Sequence, residues 1–156
     1  MKAKRPLDSR VESTYLVLPP DTNTHGTAFG GKIMQWMDVT GGIAAGRHCG
    51  GPTVTAAVDD LHFELPIHMG DVVVLKACVN YAGRTSMEVG VRVEREDAET
   101  GRRVHCLSGY FTFVAVDSTG QPREVPGITP KTDDEQRRYA SAQKRRARRL
   151  QSRGAT

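Results

Sequence analysis

The stretch Asn23-Thr-His-Gly-Thr-Ala-Phe-Gly-Gly-Lys-Ile-Met-Gln-Trp-Met-Asp-Val-Thr-Gly-Gly-Ile-Ala-Ala-Gly-Arg-His48 decides how this chain folds. Its first part, with Pro19, Pro20 and Asp21 just ahead, is turn chemistry and fits no regular element. After Gly30 and Gly31 the spacing becomes helical. Phe29, Ile33, Trp36, Met37 and Thr40 share one side, and Met34, Val39 and Ile43 fill most of the rest. A helix apolar nearly all round is expected to be buried. Lys32, Gln35 and Asp38 form its one polar stripe. A carboxylate in such a helix is costly unless it is paired or has a task, so Asp38 calls for an explanation.

Gly30 and Gly31 put backbone N–H groups at the helix start, where the dipole favours negative charge and a carbonyl can be polarised. Asp38 lies about 10 Å further along the axis, at about 1.5 Å per residue. It cannot reach a small group held at its own helix start. If both act on one group, Asp38 comes from a second chain whose helix runs antiparallel, which predicts a two-fold dimer with sites between subunits.

Working outward, residues 1–10 read as a loosely held arm. Val11 to Leu18 is a first strand, ended by Pro19-Pro20. The helix stops between Gly46 and Gly51. Thr53 to Phe63 reads as a strand with a bulge near Asp59-Asp60. Asp71 to Tyr81, Thr85 to Glu96 and Arg103 to Val116 are three more strands, and the long apolar run of the last suggests a central position. In Thr85 to Glu96, Met87, Val89, Val91 and Val93 point one way and Glu88, Arg92 and Glu94 the other. A proline-rich stretch from Val125 to Pro130 leads to a charged helix that starts at Thr132-Asp-Asp-Glu135. With one apolar helix and five strands, an antiparallel sheet must wrap the helix, an α+β fold. The expected division is a 1–10 arm, an 11–130 domain and a 131–156 basic helix and tail.

The net charge of +4 is unevenly held. From residue 131 on there are nine Lys/Arg against three Asp/Glu, leaving 13 against 15 in the first 130 residues. A basic tail suits nucleic acid, an acidic partner or cofactor phosphates; a solvated terminal helix is the plainer reading, and nucleic acid is not expected. No apolar run approaches the ~20 residues of a membrane span, and the N-terminus lacks a signal-peptide core, so a soluble cytoplasmic protein is expected. Cys49, Cys78 and Cys106 have no paired spacing and are expected as free thiols. The five histidines, at 25, 48, 62, 68 and 105, have no metal-ligand spacing, and no metal is expected.

Three segments resemble one family: Asn23-x-His25-Gly26-x-x-Phe29-Gly30-Gly31-x-Ile33-Met34-x-Trp36-Met37-Asp38, Gly83-Arg84-Thr85-Ser86-Met87-Glu88-Val89, and Phe111-x-Phe113-Val114-Ala115. They are similar to the hotdog acyl-CoA thioesterases, especially bacterial acyl-CoA hydrolases and the mammalian cytosolic acyl-CoA hydrolase, over roughly residues 10 to 150. The resemblance implies hydrolysis of acyl-CoA to free acid and coenzyme A, with no separate cofactor, in a trimer of dimers. It implies that Phe29 to Gly31 supply N–H groups to the thioester carbonyl, with Gly31 central. Asp38 becomes general base or nucleophile, and Asn23 orients water or carbonyl. Gly83, Arg84, Thr85 and Ser86 are implied to lie along coenzyme A with Arg84 near phosphate, and His25, Phe29 and Gly30 to border the substrate. Arg146, Arg148 and Arg149 are further candidates for phosphate. Two other readings stay open: a non-catalytic acyl-CoA-binding module with a structural Asp38, and enoyl-CoA hydration through His25.

Overall fold

The computed structural model describes residues 1–154. Five strands form one antiparallel sheet: β1 (Val11–Leu16), β2 (Thr53–Phe63), β3 (Val72–Ala82), β4 (Ser86–Glu96) and β5 (Arg103–Ala115). Their order is β1-β3-β4-β5-β2, so β4 is central and β2 is an edge. The sheet wraps α1 (Gly30–Cys49), as expected from a single apolar helix with no other partner. The helix ends where Gly50 takes a left-handed conformation, φ 71°.

The inward side of β4, Met87, Val89, Val91 and Val93, meets Ile33, Met37, Ala44 and Ala45 of α1 in one core. Alternation in β4 is the sheet's period of two, and it selects which face the helix covers. β2 carries the expected irregularity: its register with β5 shifts between Asp59 and His62, and Asp60 sits at φ 52°.

Three expectations need correction. First, α1 is not buried all round. Ile33, Trp36, Met37 and Thr40 are, but Met34, Val39 and Ile43 are exposed. Second, the N-terminal arm is packed. Pro6–Ser9 form a 3-10 turn, the Ser9 hydroxyl donates to Pro6 O and accepts from Val79 N–H, and Lys4 pairs with Ile128. A short polar segment without periodicity gave no hint of this. Third, the charged terminal helix α2 (Asp133–Gly154) does not stand in solvent. It crosses the outer face of the sheet. Arg145 is buried there, bonded through Nε and Nη2 to Glu88 at 3.0 and 2.7 Å and lying 3.5 Å over the Tyr110 ring. Arg149 pairs with Asp59 and Arg148 with Asp60.

His48, at the end of α1, is wholly buried. Its Nε2–H donates to Pro126 O at 2.7 Å, while Lys4 Nζ donates to its backbone carbonyl. Burial lowers its pKa from 6.5, against an opposing pull from the Pro126 hydrogen bond. The unfolded chain therefore binds this proton more readily than the folded one. His48 adds a stability term that is whole above about pH 6.5 and lost as pH falls below it. Urea midpoints taken from pH 7.5 to 5 are expected to fall for the wild type and to fall less for His48→Gln. Equal slopes would remove His48 from the account.

Candidate active site

The site begins in the loop before α1. Asp21 receives Leu18 N–H on its carboxylate and Phe29 N–H on its carbonyl, tying the two ends of the loop together. Asn23 Oδ1 accepts from His25 N–H at 2.9 Å and Thr27 N–H at 3.3 Å, and its Nδ2 donates to Thr27 Oγ1 at 2.8 Å. That is an Asx turn, which holds Asn23 in place and leaves one amide hydrogen for a ligand. His25 is exposed, and its ring has no hydrogen-bond partner among the described residues. Ala28 N–H then docks the loop on Ile67 O.

At the helix start, the N–H groups of Gly30 and Gly31 donate to nothing among the described residues. The Phe29 N–H is different: it is spent on Asp21 O at 2.7 Å. The unspent N–H groups here are therefore those of Gly30 and Gly31, and what Phe29 brings to the helix start is its ring. That ring lies against Gly31, where a Cβ would stand 2.7 Å from it, and Phe63 from β2 approaches Gly30. Beside this start opens a pocket of about 290 Å³ walled by Ala28, Ile33, Phe63, Leu65, Pro66 and Ile67 together with Thr27 and Glu64. Mostly apolar walls beside two free N–H groups at a positive helix end suit an apolar chain with a polarised carbonyl at its head. Trp36 and Met37 do not line this pocket. Trp36 instead stacks on Tyr15, 4.5 Å between ring centres.

Asp38 lies two turns on, half-buried. Thr55 Oγ1 of β2 donates to its Oδ1 at 2.6 Å, and Oδ2 has no donor among the described residues. The ion pair with Lys32 that a structural carboxylate would use is absent: Lys32 reaches Asp21 instead, at 3.7 Å. Sequence reading missed Thr55, because a Thr in a β-branched run reads as ordinary strand. Near Asp38 and Thr55 stand the exposed Val39 and Ile43 of α1 and Val58 of β2, along the sheet's free edge. Apolar side chains from helix and strand around a half-buried carboxylate form a surface that calls for a cover.

The second group of expected residues lies apart, in the turn between β3 and β4. Gly83 N–H donates to Ser86 O at 2.8 Å; Arg84 and Thr85 form the tip. Arg146 of α2 approaches Gly83 and lies 5.9 Å over the Tyr81 ring. The structure thus gathers Asn23, Phe29, Gly30 and Gly31 at one helix end and Gly83 to Ser86 at a hairpin, with Asp38 between exposed apolar residues. Among the described residues no cluster of His, Cys, Asp and Glu is arranged to hold a metal, and no helix is long and apolar enough to cross a membrane.

Residues 25–102 match the thioesterase superfamily model. An uncharacterized acyl-CoA thioester hydrolase of Bacillus subtilis is 44% identical over 82% of this chain and 74% of its own length. Mouse acyl-coenzyme A thioesterase 11 is 47% identical over 91% of this chain, which spans only 24% of that protein. Among solved structures, an apo-hexameric acyl-CoA thioesterase superposes with TM-score 0.93 at 39% identity, covering 97% of both chains. The acyl-CoA hydrolase of Staphylococcus aureus, in complex with butyryl coenzyme A, coenzyme A and coenzyme A disulfide, superposes at 0.89 with 38% identity, covering 98% and 96%. Three further structures of that hydrolase carry single alanine replacements of an Asn, an Asp and a Thr. Their spacing along that chain equals the spacing of Asn23, Asp38 and Thr55 here. A five-stranded sheet around one helix, a carbonyl-sized donor pair at that helix's start and these likenesses agree: the chain belongs to the thioesterase superfamily, among its hotdog acyl-CoA thioesterases.

Proposed function

We propose that the chain hydrolyses fatty acyl-CoA to free acid and coenzyme A at a site shared by two subunits. The acyl chain enters the pocket beside Ile33 and Phe63, and the thioester oxygen rests on the N–H groups of Gly30 and Gly31. The partner's copy of residue 38 takes a proton from water as the water oxygen bonds to the carbonyl carbon. When the tetrahedral species collapses, the C–S bond breaks and the same carboxyl returns the proton to the sulfur leaving group. Thr55 holds one oxygen of the Asp38 carboxylate and leaves the other for the water. The free amide hydrogen of Asn23 orients the water or the carbonyl. Attack by Asp38 itself, through a mixed anhydride, uses the same groups. Coenzyme A enters as part of the substrate and leaves as product, with no separate cofactor, and the reaction belongs in the cytoplasm.

One observation carries the reading: two unspent N–H groups stand at one end of a helix whose carboxylate sits among exposed apolar side chains. A helix cannot bring its own Asp38 to its own start, whereas a second helix running antiparallel brings both together twice. Hexameric relatives support a trimer of such dimers.

Thiol release from acyl-CoAs of rising chain length tests the reaction. Turnover across part of the series is expected, and coenzyme A binding without turnover at any length would replace the enzyme with a binding module. The interface has its own test. Val39→Glu and Ile43→Glu each place a charge on the exposed apolar strip, away from the pocket. Light scattering is expected to show smaller assemblies with turnover lost in parallel, and a monomer that keeps full turnover would contradict the shared site.

A further inference from the structure

The outer face of the sheet holds a second cavity, of about 300 Å³, between the N-terminal part of α2 and strands β3, β4 and β5. It opens on the side of the sheet away from α1 and the pocket beside Ile33. Gly90 makes room for it. In β4 Val89 and Val91 face the core, so Gly90 faces outward and brings no side chain. The buried Asn80 amide packs into that gap, its Nδ2 standing 2.6 Å from where a Cβ would be. Arg10, Lys76, Arg92, Arg137 and Arg138 border the cavity, and no carboxylate does.

Part of this charge is spent. Glu94 holds Lys76 at 2.8 Å and Arg92 at 3.3 Å, and Asp134 holds Arg137 at 3.1 Å. Two carboxylates thus answer five cations. Arg10 and Arg138 have no carboxylate within ion-pair distance among the described residues, and Arg138 Nε is shielded from solvent with no hydrogen-bond partner there. Glu135 acts on Arg138 through space, but its carboxylate already accepts from the N–H groups of Lys131 and Thr132 and pairs with Arg5. The Cys78 thiol, in the cavity wall, feels both unpaired arginines: burial pushes its pKa up, and the charges of Arg138 and Arg10 pull against that. The two guanidiniums therefore lie near one point of the wall, one brought by the arm before β1 and one by α2. Like charges gathered round a hollow repel one another, and an entering anion relieves that cost. Guanidinium forks match phosphate and carboxylate oxygens.

We propose that this outer cavity binds a small anion carrying two or more negative charges, phosphate or carboxylate, at a site separate from the thioester chemistry. Bound between Arg10, Arg138 and the sheet, the anion ties the N-terminal arm and the start of α2 to β3 and β4. The site does not depend on the acyl-CoA reading, and its test does not depend on turnover.

Titration calorimetry on the full chain in its native assembly, with pyrophosphate and with citrate as probes, tests the site. Wild type is expected to bind at least one of the two, one per chain, and the probe that binds tells phosphate from carboxylate chemistry. Arg138→Gln and Arg10→Gln are each expected to weaken that binding by about tenfold or more, as for a lost charge-assisted hydrogen bond. Arg102→Gln, which removes a charge from the exposed β4–β5 turn, is expected to leave it unchanged. Saturating coenzyme A is also expected to leave it unchanged. The anion is expected to raise the thermal midpoint of wild type more than that of either pocket variant. Binding of neither probe would overturn the proposal. So would unchanged affinity in either pocket variant, an equal loss in Arg102→Gln, or displacement of the probe by coenzyme A.

Discussion

Asp38→Asn is expected to lower kcat for acyl-CoA hydrolysis by 10²–10⁴-fold with the assembly intact, the range a positioned general base contributes. Asparagine preserves shape and still accepts the Thr55 hydroxyl proton, so the Asp38–Thr55 contact survives. What it loses is the ability to take a proton from water. A structural role predicts another outcome. Among the described residues the half-buried carboxylate has no cation beside it and receives one hydrogen bond, so an uncharged amide there costs little stability. Unfolding midpoints close to wild type, together with a collapse in thiol release, separate the two. Turnover within threefold of wild type would return the proton transfer to a different group.

The largest expected effect on stability is far from that chemistry, at Glu88. Its carboxylate and Arg145 are both buried, 4% and 8% exposed, and Tyr110 closes over the guanidinium. Glu88→Ala leaves a buried cation unpaired and is expected to cost about 3–5 kcal/mol. The comparison pair is Arg148–Asp60, with side chains 66% and 42% exposed, where Arg148→Ala is expected to cost less than about 1 kcal/mol. The double variant Glu88→Leu/Arg145→Leu is expected to recover much of the loss, because an apolar pair avoids the desolvation that the ion pair only repays. Urea unfolding at one fixed protein concentration reads all three, since an assembling protein's midpoint moves with concentration. A Glu88→Ala loss under about 1 kcal/mol would mean that water reaches Arg145 beneath α2.

These two residues show where sequence stops speaking. The alternation of β4 marks Glu88 as pointing away from the core, and the structure agrees. Whether solvent or another element waits on that side is a long-range matter. The partner, Arg145, is 57 residues away in a helix whose charges all look solvated. The converse happened in α1. Hydropathy registers that Val39 and Ile43 are apolar but not whether their own chain covers them, so a helix with one exposed apolar side reads like one buried all round. That Gly30 and Gly31 carry unspent N–H groups was legible because a helix start always leaves N–H groups free. Phe29 was not excludable, since its bond to Asp21 depends on how the preceding loop closes. The bulge at Asp60 was legible because two adjacent aspartates disturb a β-branched run. The Thr55 contact was legible only after β2 had been placed beside Asp38 of α1.

The central claim is that each site takes its donor pair and Asn23 from one subunit and Asp38 from the other. Subunit complementation tests it most directly. Asp38→Asn and Asn23→Ala are each expected to be inactive alone. Unfolded and refolded together, they form mixed dimers in which one of the two sites has both an intact Asn23 and an intact Asp38. Thiol release from the mixture is expected to recover a substantial fraction of wild-type activity, while each variant refolded alone stays inactive. A mixture as inactive as its parts, with mixed dimers shown to be present, would place both residues in one chain's site and contradict the account.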